Sequence, residues 1–171
     1  MTDKKLRAII ILIICAIIAA FGFGIDKIKA ENSYDRNRIG IDLPNQSVIL
    51  KKQDDHGGFH GDGEYYCAIQ LTEEGVIKFT HDAAKTGKWA PLPLPEDIEI
   101  IVHGNEYYDI GKMSKNIPKN VTRGIYYVRD RYAEEYPSEK NTNILSRYSY
   151  NVTISILDFD TKILYIYELD T

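Results

Sequence analysis

Between Tyr148 and Leu157 apolar and polar side chains alternate: Tyr148, Tyr150, Val152, Ile154 and Ile156 on one parity, Ser149, Asn151, Thr153 and Ser155 on the other. A repeat of two is the signature of a β-strand, and this one is predicted to carry a core face and a solvated face. The next run, KILYIYEL (162–169), is apolar on both parities, which places it in the middle of a sheet rather than at its edge. Three more segments read as strands. SVILKKQ (47–53) and EYYCAIQL (64–71) form a hairpin with a long connection, and RGIYYVRDR (123–131) supplies another strand. Ile39, Ile41 and Leu43 alternate just before the first of these and mark where the folded body begins.

The period changes after Leu71. Thr72 followed by Glu73 and Glu74 is a helix start, a hydroxyl cap with acids in the first turn. Val76, Phe79 and Ala83 recur at helical spacing, and Lys85, Gly87 and Lys88 close the segment. Pro91, Pro93 and Pro95 then force an extended path, predicted to be a crossover that packs with Trp89. A second short helix is expected from Glu96 to His103, with Ile98, Ile101 and Val102 inward and Gly104 ending it. His103 at its C-terminus is placed to favour the helix dipole. Strands, two consecutive helices and strands again are an α+β order. The expected fold is an antiparallel sheet of about five strands with both short helices on one face. The 13 tyrosines fall mainly in the strands and read as sheet packing.

One stretch does not belong to this body. Ala8 to Ile25 carries no charged residue, and as a helix it would be about 27 Å long, close to the hydrocarbon thickness of a bilayer. A cleavable signal has an apolar core of only about 7–15 residues. The length therefore favours an uncleaved transmembrane helix over 8–25, with secretion after signal cleavage as the alternative. Lys4, Lys5 and Arg7 precede the run, so residues 1–7 are expected in the cytoplasm and the C-terminal domain outside. Residues 26–38 read as a polar tether and 39–171 as the extracytoplasmic domain. Without Asp3, Lys4, Lys5 and Arg7, the 21 basic and 25 acidic residues become 18 and 24, a net charge of −6. That balance argues against nucleic acid as a partner. Cys15 lies in the apolar run and Cys67 in a strand, so they form no staple, and Cys67 is expected to be an inert core residue.

The candidate chemistry lies in HGGFHGDGE (56–64), between the first two strands. His56, His60, Asp62 and Glu64 are the residue types that bind a divalent metal such as zinc, and glycines would let the backbone turn them toward one point. Their spacing fits neither a zinc signature nor an EF-hand loop. The competing reading is a glycine-rich turn whose polar side chains satisfy their own backbone. No nucleophile elbow or phosphate-binding loop is present, and Asp130, between Arg129 and Arg131, reads as a solvated strand edge. HGGFHGDG, GIYYVRDRY and NVTISILDFDTKILYIYELDT together resemble an uncharacterised family of small exported or membrane-anchored proteins of Gram-positive bacteria. The resemblance spans about residues 47–171. It implies location and shape and carries no activity. Where the related pattern has an aromatic residue, this chain has Val128 and Val152. Two function classes follow: a non-enzymatic binding or interaction domain held at the membrane, and a metal-dependent site, binding or hydrolytic, centred on the loop.

Overall fold

The computed structural model describes residues 35–57 and 61–171. The apolar run 8–25 and most of the tether lie outside the described residues, and among the described residues no helix is long and apolar enough to cross a membrane. The body is α+β. Its strands are β1 (Val48–Asp54), β2 (Gly63–Gln70), β3 (Trp89–Pro91), β4 (Gly124–Asp130), β5 (Asn151–Asp158) and β6 (Ile163–Asp170). They form one six-stranded antiparallel sheet in the order β1-β2-β6-β5-β4-β3. The doubly apolar β6 is central, between β2 and β5, as its lack of a polar face required.

Both long helices form where the pattern puts them. Helix α1 (Glu73–Thr86) starts at Thr72, whose hydroxyl accepts the Gly75 N–H, and ends at Gly87 in the left-handed region (φ 64°). Helix α2 (Glu96–His103) buries Ile98, Ile101 and Val102 and stops at Gly104. The expectation that they share one face is wrong. Phe79 and Ala83 of α1 pack with Tyr65, Cys67, Ile69 and Ile166, whereas Ile98, Ile101 and Val102 of α2 pack with Tyr66, Ile154 and Tyr167. Tyr65 and Tyr66 are neighbours on β2, and successive strand side chains point to opposite faces. The sheet is therefore covered on both sides. The proline segment makes this possible. Trp89–Pro91 pairs with β4 as an extra edge strand, and Leu92 and Leu94 beyond it already pack on the α2 side, so the segment carries the chain around the sheet edge.

A two-sided core also corrects the reading of β5. Thr153 and Ser155, expected to be wet, are fully buried, and Tyr148, expected inside, is fully exposed because the strand starts only at Asn151. Ser155 sits opposite Tyr127 and Ile166. On that side Trp89 stacks on Tyr127 at 5.5 Å and meets Phe79 edge-on at 5.1 Å. Small hydroxyl side chains leave room for aromatic cover, which their polarity does not advertise. The body also begins earlier than Ile39. Residues 35–39 are helical, and Asp35 and Arg38 are buried against the sheet, so the end of the expected tether is part of the domain.

Candidate functional site

The loop between β1 and β2 is a braced turn. Asp55 N–H donates to the Glu64 carbonyl at 3.0 Å, and the Asp55 carboxylate accepts the Glu64 N–H at 2.6 Å. The four residues expected to converge on a metal do not do so among the described residues. His60 lies outside them, and Asp62 is exposed. Glu64 is buried and faces the α2 side. Its carboxylate accepts the Lys112 N–H at 2.9 Å, the Met113 N–H at 2.7 Å and the Tyr167 hydroxyl at 3.1 Å. Burial and the Glu64 charge push the Tyr167 hydroxyl pKa well up, so it remains a donor. Glu64 is thus a brace joining β2, β6 and the turn at Met113–Asn116.

His56 faces the opposite side, into charges the sequence did not connect with the loop. Its ring Nδ1 lies 2.7 Å from Asp54 Oδ1, and Nε2 lies 3.1 Å from Asp170 Oδ2. Burial raises the Asp54 pKa, but the ring and backbone N–H of His56 outweigh that and hold it below the usual carboxylate value. His56, Glu168 and Asp170 each offer a ligand atom within 4.8 Å of the others, a spacing a divalent ion could use. Protein cations already occupy these oxygens, however. Arg131 bonds Asp170 and Thr153 and lies 3.4 Å from Glu168, while Arg38 Nε bonds Glu168 at 2.5 Å and its guanidinium lies 3.9 Å over the Tyr65 ring. A metal here would meet two guanidinium charges in a half-buried setting, where repulsion is poorly screened. The cluster is a closed ion-pair network that fastens residues 35–39 and the loop to β5 and β6. Asp130 belongs to its margin. It caps the short helix α3 (Arg131–Glu135) by accepting the Ala133 N–H and pairs with Arg147 at 2.5 Å, so it is no solvated edge.

The more open chemistry lies across the sheet. Between the proline segment, α2 and residues 118–122 is a half-enclosed cleft of about 560 Å³. Leu92, Leu94, Val121 and Ile156 give it apolar walls, and Glu96, Glu99 and Lys119 stand at its rim. His103 lines it with a side chain only 8% exposed, and its nearest charged neighbour is Glu99 Oε1, 3.8 Å from Nε2, beyond hydrogen-bond length. Burial pushes the His103 pKa below its ordinary 6.5; Glu99 pulls it back and Lys119 lowers it further. His103 stands in the last turn of α2, where an imidazolium would favour the helix dipole, but burial works against the charged ring. The cleft is built from three separate segments, and no local motif marks it. Cys67, as expected, is buried core. Comparison with protein-family models, with curated proteins and with solved structures finds no match for this chain.

Proposed function

We propose that the chain is a non-enzymatic binding module held at the outer face of a cell membrane by residues 8–25, and that the His103 cleft is its ligand site. The observation that carries this reading is an imidazole that lines an apolar cleft and lies beyond hydrogen-bond length from its nearest carboxylate, Glu99. Small-molecule sites are concave, mostly apolar pockets of about 300–1,000 Å³ with a few placed polar groups. The His103 ring nitrogens are not among the fully buried partnerless side-chain atoms of the described residues, so they open onto the cleft and can bond a ligand there. The Lys4, Lys5 and Arg7 flank supports the membrane orientation, and the net acidity of the body argues against a nucleic-acid partner.

A ligand-observed NMR screen of a fragment library tests the site. Hits should disappear in Thr122→Trp, where a large side chain on the exposed rim covers the mouth, and should survive His56→Ala. Hits that survive Thr122→Trp and vanish in His56→Ala would move the site to the charged cluster. The second reading, a divalent metal such as zinc at the loop, keeps one observation in its favour, the spacing of His56, Glu168 and Asp170. It requires Arg131 and Arg38 to move aside. For the anchor, protease added to intact protoplasts should remove the body and leave a small protected N-terminal fragment; a protected body would refute the orientation.

A further inference from the structure

The rim of the cleft limits what its ligand can carry. Glu96 and Glu99 bring two negative charges and Lys119 one positive, so with His103 neutral the opening carries a net charge of −1. We infer that the cleft takes a small amphiphilic amine, its ammonium group between His103 and Glu99 and its apolar body against Leu92, Leu94, Val121 and Ile156. This rests on the reading of the cleft as a ligand site.

A neutral imidazole has one donor and one acceptor nitrogen. Nε2 and Glu99 Oε1 lie 3.8 Å apart, so one atom can stand within hydrogen-bond reach of both, and the tautomer protonated at Nδ1 leaves Nε2 as the acceptor facing it. An ammonium has three N–H donors and no acceptor. It can give one to the imidazole and one to Glu99, with Glu96 supplying a second countercharge. A carboxylate head would instead face two carboxylates and have to recruit Lys119, whose exposed side chain holds its charge in water. A hydroxyl head would satisfy His103 alone. The apolar walls exclude an ammonium without a body, since most of the lining offers it nothing.

Isothermal titration calorimetry on the full chain in nanodiscs, with empty nanodiscs as the control, tests this using three probes that share one body: phenethylamine, 3-phenylpropanol and 3-phenylpropionate. Phenethylamine should bind at least about tenfold more tightly than 3-phenylpropionate, with the alcohol between them. Glu99→Gln, a near-isosteric change at an exposed position, should weaken the amine by about tenfold and leave the alcohol unchanged. If the carboxylate binds most tightly, or if Glu99→Gln leaves the amine unaffected, the amine assignment is wrong while the cleft stands as a site. If none of the three probes binds, the cleft as a ligand site falls, and this inference with it.

Discussion

Replacing Glu64 separates a metal ligand from a structural brace. In the structure its carboxylate receives three hydrogen bonds, from the Lys112 N–H, the Met113 N–H and the Tyr167 hydroxyl. Hydrogen bonds to a charged group contribute about 1.5–3 kcal/mol each, and the three are not additive because water can reach the exposed Lys112 side. Glu64→Ala leaves these donors without an acceptor, and the expected cost is about 3–5 kcal/mol. At about 2–4 °C per kcal/mol for a body of this size, the melting temperature should fall by roughly 10 °C. Glu64→Gln keeps the shape and one acceptor oxygen, so about 1–2 kcal/mol is expected. Urea unfolding followed by the fluorescence of Trp89, the single tryptophan, measures both, and the slope with denaturant should not change. A loss below about 1 kcal/mol for Glu64→Ala would refute the brace and reopen Glu64 as a ligand.

Other consequences can be checked in the same way. Gly111→Ala should also destabilise, because its Cβ would run into the Tyr167 hydroxyl and Ser114 Oγ; a neutral result would contradict that packing. A fragment 39–171 should be less stable than 26–171 by about 1–3 kcal/mol, since Glu168 loses Arg38 and keeps only Arg131, and the Tyr65 hydroxyl loses Asp35; equal midpoints would mean that residues 35–38 only tether. Thr153→Ala removes a buried acceptor from Arg131 and should cost about 1–3 kcal/mol, whereas Ser155→Ala, whose buried hydroxyl has no partner, should be neutral or stabilising. Zinc or manganese should shift the melting temperature in neither the wild type nor a His56→Ala, His60→Ala double variant; a shift that the double variant abolishes would favour the loop metal. His103 has a lowered pKa in the folded protein, so the unfolded chain binds the extra proton first. Its contribution to stability is full above pH 6.5 and is lost as pH falls below that value, and His103→Gln should flatten this part of the pH profile.

Local rules account for the elements they govern. Thr72 and Gly87 bound α1 because capping is short-range, and β6 is central because its run from Ile163 to Tyr167 is apolar on both parities. Which face an element covers depends on partners far along the chain. Thr153 and Ser155 look solvated by composition; Ser155 is buried beside Tyr127 of the aromatic layer, and Thr153 between Arg129 and Glu168, where Arg131 bonds its hydroxyl. The four loop residues looked like a set because they are adjacent in sequence, yet His56 and Glu64 end on opposite faces of the sheet. A signal for the true neighbours of His56 was present: Glu168 and Asp170 stand two apart near the end of the last strand, so they share a face. Their arginine partners come from residues 38 and 131, beyond the reach of any spacing rule. His103 and the proline segment were both visible, but the cleft between them also needs residues 118–122, a stretch without periodicity.

The central claim is that His103 is the group that meets ligand. The chain has four histidines, so a ¹H–¹⁵N spectrum of the imidazoles in labelled full-length protein follows each ring separately while an amine probe is added. The His103 ring signals should shift in a saturable way, with those of His56, His60 and His81 unchanged. A saturable shift at His56 with His103 unmoved would contradict the account.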